Sequence, residues 1–327
     1  ALRFYERYLT AMRDCQGEDG RYPCIAPVGG GFGGLAWESA GIIVTYEVYR
    51  QYGDRKIIEE NYEAMKAYLN CLTGQREWPG VLTEVQGGLG DWLASDLSTD
   101  GPLIWNAIFC YDAKILAEMA EAIGETQDAR EFAALHRQIK EIWNRTFVDP
   151  QTGKARGADG RENDTQCAYA LPLSYGVFDE RNEARAYAHL SRKTREVGYT
   201  VTTGFVGTPA LNSALTAGGD GEAAYRLLMQ TGYPSWLYSV TQGATTIWER
   251  WNSCTQEAGF GGNNSMNSFN HYSLGAVAAW MYEDVLGIRR GEAPGFQDFV
   301  LRPVFGPLAY AKGHYDSPYG RIESGWE

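Results

Sequence analysis

Positive charge is scarce in this sequence: its 327 residues include 29 Lys and Arg against 41 Asp and Glu, for a formal charge of −12. Phosphate binding needs a basic face, which this chain nowhere shows, so nucleic acid is not an expected partner. It also lacks any apolar run of about eighteen residues, which excludes a membrane-spanning helix and makes a membrane an unexpected partner. Histidines number only four and cysteines six. Cys15, Cys24, Cys71, Cys110, Cys167 and Cys254 show no C-x-x-C spacing and do not pair with the histidines, which argues against a zinc site and against a small disulfide scaffold. Three of them, Cys71, Cys110 and Cys167, fall in apolar helical patterns, where a free thiol packs as a small hydrophobe. No Ser-His-Asp arrangement, nucleophile elbow or phosphate loop is present. Nothing calls for a metal or cofactor. No initiator Met or signal peptide opens the chain, which starts Ala1-Leu2-Arg3-Phe4-Tyr5 within a helical pattern, so localisation is unreadable. The oligomeric state is equally unreadable.

What the chain has is aromatic rings and repeating helices. Ten Trp and twenty-one Tyr are present, many in Gly-rich segments, where flat rings offer a surface for stacking sugar. Residues 2–15 predict a helix, followed by a Gly-rich loop over 17–34. Its Gly29-Gly30-Gly31-Phe32-Gly33-Gly34 satisfies G-x-G-x-x-G in form, but no β-branched run precedes it to supply the strand of a dinucleotide fold. Helices follow over 37–52 and, after Asp54, through Ile58, Tyr62, Met65, Leu69 and Leu72, spaced by four and three. Ile104, Ile108, Ile115 and Met119 mark a long helix ending at Gly124, and Phe132, Leu135, Ile139 and Ile142 mark its return. Further helices are predicted over 164–173, 181–197, 206–217, 221–231 and 266–286. These are about ten helices in antiparallel pairs, with short turns on one side and long aromatic loops on the other. That asymmetry predicts an all-α toroid, an α/α barrel of hairpins with function at its long-loop end, two helices short of a closed ring of six. After residue 290 the pattern changes: 299–303 and 313–315 predict strands, with a turn over 316–320 leading to 321–324. The expected division is therefore 1–290 for the barrel and 291–327 for the start of a β domain.

Three carboxylates lie beside indoles on the long-loop side. Gln242-Gly243-Ala244-Thr245-Thr246-Ile247-Trp248-Glu249-Arg250-Trp251 sets Glu249 between two indole rings, an arrangement that excludes water and suits a general base. Trp37-Glu38 opens the second helix and Gly90-Asp91-Trp92-Leu93 sits in the next long loop. The ordinary alternatives are an exposed Glu-Arg pair with Trp248 and Trp251 as core, helix-start packing for Trp37, and a cap or turn for Asp91. His271 in Asn270-His271-Tyr272 lies early in the predicted last helix, close in sequence to Glu249. His136 and His189 read as surface residues of charged helices, and His314 belongs to the terminal strands.

Together these residues resemble the inverting α-L-rhamnosidases, along essentially the whole chain. The resemblance rests on Thr203-Gly204-Phe205-Val206-Gly207-Thr208-Pro209, Tyr233-Pro234-Ser235-Trp236-Leu237-Tyr238, the segment around Glu249, and Ser268-Phe269-Asn270-His271-Tyr272, in that order. Gly90-Asp91-Trp92-Leu93 and Tyr315-Asp316-Ser317-Pro318-Tyr319-Gly320 add to it. It implies a six-hairpin (α/α)6 catalytic barrel followed by a β-sandwich. It further implies that Glu249 activates the attacking water, that Trp37, Trp92 and His271 line a rhamnose site with Asp91 and Trp251 beside them, and that the substrates are rhamnose-containing glycosides. The general acid of that family lies upstream of the first helix, so the chain is expected to be part of a larger enzyme. The family also commonly reads Trp-Gly-Asp where this chain has Trp37-Glu38-Ser39. Other readings are an α/α-barrel hydrolase of unsaturated uronides, which would need a cation in the pocket, and a carbohydrate-binding fragment without activity.

Overall fold

Apolar residues spaced by three and four build the helices, and the depth of each helix follows from how much of its surface they cover. The computed structural model describes residues 1–31, 33–75, 77–84, 88–261 and 265–327. Phe32 of the Gly-rich motif and residues 262–264 of the Asn-rich loop lie outside the described residues. The helices are α1 (Leu2–Asp14), α2 (Leu35–Glu38), α3 (Ala40–Tyr52), α4 (Lys56–Thr73), α5 (Gly101–Ile123), α6 (Thr126–Phe147), α7 (Gln166–Ser174), α8 (Glu180–Glu196), α9 (Thr208–Ala217), α10 (Gly221–Met229), α11 (Trp236–Thr241) and α12 (Val277–Trp280). In α8 only Asn182, Ala186, Leu190 and Thr194 are buried, one residue per turn, so that helix shows a single stripe to the core. In α7 every residue but Ser174 is buried, as a helix needs when neighbours surround it.

Packing follows that division. Helix α3 packs on α5, α5 on α7, α7 on α9 and α9 on α12, so every second helix touches the next along the inside of the toroid. Helices α4, α6, α8 and α10 cover them from outside, and α1 packs on α3 and α4. The α5–α6 hairpin is the longest. Asp100 caps α5 by accepting from Leu103 N, and Gly124 ends it with φ 89°, a conformation that favours glycine. Trp143 of α6 is fully buried and donates from Nε1 to Leu103 O at 3.1 Å, tying the hairpin together. Truncating it to Ala would cost about 3–5 kcal/mol.

Several local expectations change. Residues 37–52 fall in two helices that meet at Ser39, whose hydroxyl donates to Asp112 of α5. The last helix begins at Ser273, not at 266, since Glu249 N donates to Ser268 O and His271 N to Ile247 O, which ties 268–271 to 247–249. His271 is therefore a loop residue. From Ser273 the backbone makes a 3-10 turn, the α-turn of α12 and a π-turn over Met281–Val285. His136 and His189 are half-buried, not surface residues: His136 Nδ1 lies 3.0 Å from Cys110 O, and His189 stacks on Tyr169. Cys110 and Cys167 are buried, whereas Cys71 is only partly covered. Helix α11 was not expected. It is six residues long and capped by Ser235, which accepts from Tyr238 N.

The C-terminal residues form two antiparallel pairs, β1 (Ile288–Arg290) with β2 (Phe299–Leu301) and β3 (Ala311–Ser317) with β4 (Gly320–Trp326). Asp316 belongs to β3, not to the turn, and pairs with Arg321 of β4 at 2.7 Å. A small core of Leu286, Ile288, Phe296 and Ile322 lies beneath these strands, and Trp326 Nε1 donates to Val285 O, so the strands lean on the end of the helical ring.

Candidate active site at the long-loop end

Helices α5, α7 and α9 begin at one end of the toroid, where residues 88–100, 148–165 and 197–207 lead into them. Residues 203–207 are the hub of this end. Asp91 is buried, and its carboxylate accepts from Gly204 N at 2.8 Å, Gly207 N at 2.9 Å and Val206 N at 3.0 Å. Burial pushes the Asp91 carboxyl upward, the three N–H groups and the Cys167 thiol pull it back, and the balance stays above the ordinary range. Phe205 N donates in turn to Trp92 O at 2.9 Å. Only glycine fits at 204, because a Cβ there would stand 2.1 Å from Trp92 O.

The same hub holds the other candidates. Trp251 is 3% exposed and donates from Nε1 to Thr203 O at 2.8 Å, with its ring edge-on to Trp236. The Phe205 and His271 ring centres lie 5.0 Å apart. His271 Nδ1 accepts from Ser273 N at 3.3 Å, which leaves the proton of the neutral ring on Nε2. Glu249 is half-buried. Its Oε2 accepts from Ser268 N at 2.7 Å, whereas Oε1 takes no hydrogen bond from the described residues. Beside it Trp248 is buried edge-on to Phe269, and Arg250 keeps its Nε buried without a partner. Among the described residues the carboxylate is thus held by one oxygen only.

Trp37 joins from α2. It lines a cavity of about 520 Å³ on the toroid's axis, together with Phe205, Val206, Tyr8, Tyr175 and Tyr272. The Trp37 and Trp92 loops meet where Leu89 N donates to Gly33 O at 3.2 Å. The structure therefore joins Asp91, Trp92, Trp251, His271 and Glu249 through residues 203–207 and 268–271, and brings Trp37 to Phe205 across the cavity. Asp91 and Trp251 are buried behind that surface, while Trp37, Trp92, His271 and Glu249 are partly exposed. No group of three or more His, Cys, Asp or Glu among the described residues is arranged to hold a metal ion.

Residues 1–285 match the family model of the bacterial alpha-L-rhamnosidase 6 hairpin glycosidase domain, and residues 287–327 that of the bacterial alpha-L-rhamnosidase C-terminal domain. The chain belongs to the bacterial α-L-rhamnosidase family. It is 35% identical to an alpha-L-rhamnosidase of Streptomyces avermitilis, covering 100% of this chain and 31% of the relative, and 32% identical to one of Formosa agariphila, covering 99% and 35%. The crystal structure of the Streptomyces avermitilis alpha-L-rhamnosidase complexed with L-rhamnose superposes with a TM-score of 0.91 at 33% identity, over 99% of this chain and 30% of that one. An Aspergillus terreus α-L-rhamnosidase gives 0.89 at 27% identity, over 99% and 38%. The chain thus spans about a third of the length of these relatives.

Within the rhamnosidase frame, the departure at Trp37-Glu38-Ser39 has a local account. Glu38 is 3% exposed and pairs with Arg21 at 2.7 Å. Burial pushes its carboxyl up and Arg21 opposes the rise. Ser39 donates to Asp112, whose carboxyl burial holds well above the ordinary range. Both residues after Trp37 are thus anchored to neighbouring elements. Phe205 was not singled out as a site residue, though its signal was present: an aromatic ring between Gly204 and Gly207, just before a helix with Pro209 in its first turn.

Proposed function

We propose that this chain forms the catalytic ring of a glycoside hydrolase that removes terminal α-L-rhamnosyl residues with inversion. The observation that carries the reading is Glu249, with Oε2 fixed by Ser268 N and Oε1 left open by all the described residues. A carboxylate so held keeps one lone-pair face aimed and ready to take a proton from water, the task of the base in an inverting pair. Trp37, Trp92, Phe205 and His271 line the sugar site, where indole and phenyl faces suit the methyl group and C–H face of a 6-deoxy sugar. Asp91 and Trp251 act behind them as positioning residues.

The general acid belongs to another part of the polypeptide. Inverting carboxyls stand about 6.5–9.5 Å apart, and the other acidic residues flagged by the site motifs are engaged: Asp91 by three N–H groups and Glu38 by Arg21. A uronide-directed site would want a cation; neither Lys nor Arg lines the axial cavity, and Arg250, the one cation adjoining Glu249 in sequence, is partly buried. The test uses the complete enzyme with an aryl α-L-rhamnoside and proton NMR of the first product. β-L-Rhamnose is expected first. Release of the α-anomer first would overturn inversion, and no rhamnose release would leave a carbohydrate-binding protein.

A further inference from the structure

We propose that the groove between α6 and the start of α8 binds acidic polysaccharide, at a site separate from the axial cavity. The sequence shows no basic face, yet the fold builds one. Arg137, Lys140 and Arg145 on α6, Arg156 in the following loop and Arg181 on α8 converge on a groove of about 700 Å³. Glu141 and Asp179 share it, so five positive groups face two negative ones, a local excess of three (5 − 2) in a chain of net charge −12. The C-terminus of α6 offsets about half a charge and the N-terminus of α8 adds about as much. The helix ends therefore do not neutralise the patch.

Three of the cationic heads are held in place without being discharged. Lys140 donates to Gly176 O at 2.7 Å, Arg156 to Thr146 O and Arg145 O at 2.7 Å, and Arg181 to Pro150 O at 3.3 Å. None of the five forms an ion pair among the described residues. Arg137 and Arg145 are exposed, and their side chains donate to no described residue. They stand eight positions apart on α6, about 12 Å along its axis, a spread suited to a chain of charged sugars more than to a single ion. Guanidinium forks match carboxylate and sulfate oxygens in pairs, and exposed Pro150 adds apolar surface for a sugar C–H face.

This site does not depend on the hydrolytic reading and is tested by binding alone. The complete protein is passed over immobilised polygalacturonate, dextran sulfate, neutral dextran and single-stranded DNA. Binding is expected to polygalacturonate, dextran sulfate or both, the two arms separating carboxylate from sulfate recognition. It should weaken steeply between 50 and 200 mM salt, as screened surface charges do. Arg137→Gln with Arg145→Gln should weaken it about tenfold, and Glu141→Gln should strengthen it about threefold, a gain that misfolding does not mimic. Three results each overturn the proposal: no binding to either acidic polysaccharide, unchanged binding in the Arg137/Arg145 double variant, or DNA bound as tightly as the polysaccharides.

Discussion

Replacing Asp91 by Ala asks whether one buried carboxylate organises the long-loop end. The substitution removes the acceptor shared by the N–H groups of Gly204, Val206 and Gly207. Each buried donor left without a partner costs about 1–3 kcal/mol. Against this, the carboxylate no longer has to be desolvated, and burial is the largest influence on it. The net loss should resemble that of breaking a buried charged contact, about 3–5 kcal/mol. Asp91→Asn keeps an oxygen for two of the donors but sets an amide N–H against the third, so its loss should be about 1–3 kcal/mol. The effect is local, so the suitable assay is hydrogen exchange of the peptide covering 203–207 in the complete enzyme. An opening made 3 kcal/mol easier exchanges at least about a hundredfold faster. Exchange within threefold of the parent in Asp91→Ala would refute the idea that this carboxylate holds the hub, and Trp92 and Phe205 would then need another anchor.

Further expectations follow the same contacts. Gly204→Ala forces a Cβ to 2.1 Å from Trp92 O, so thermal scanning should show a loss of about 1–3 kcal/mol; an unchanged melting temperature would contradict that packing. Trp251→Phe keeps the ring but strands Thr203 O, costing about 1–3 kcal/mol, and steady-state kinetics should show KM rising more than kcat if Trp251 acts through the hub. Lys66, first, and Tyr62 hold the Asp128 carboxyl below its ordinary range. A lowered folded pKa contributes stability above the unfolded value of about 4 and loses it as pH falls through the folded value. Asp128→Asn should therefore cost up to about 1 kcal/mol at pH 7 and progressively less below pH 4, as measured by denaturant midpoints. An equal cost at both pH values would exclude the charge as its cause.

The helical pairs were legible because Ile58, Tyr62, Met65, Leu69 and their counterparts repeat at the helical period, and that spacing survives any tertiary context. The breaks were less so. Ser39 stands between two helices and donates to Asp112, 73 residues on, and 268–271 leave the helical path where they hydrogen-bond to 247–249. Both partners are distant in sequence, so a local window reads through the break. At the site, the residue types were readable and their roles were not. Asp91 beside Trp92 looks like a sugar ligand, but the N–H groups that claim its oxygens lie more than a hundred residues away. Trp251 was read as standing beside the sugar site or as core, and its indole N–H turns inward to Thr203 O. The groove on α6 was hidden in part for the same reason, since Arg156 and Arg181 come to it from other segments.

The central claim is that Glu249 activates water at a sugar site built by the long loops. Glu249→Gln in the complete enzyme keeps the acceptor for Ser268 N and removes the base. Calorimetry with L-rhamnose should find the affinity within a few-fold of the parent, while kcat on an aryl rhamnoside falls by about 10²–10⁴. A variant that turns over at near-parental rate while binding rhamnose normally would contradict the account.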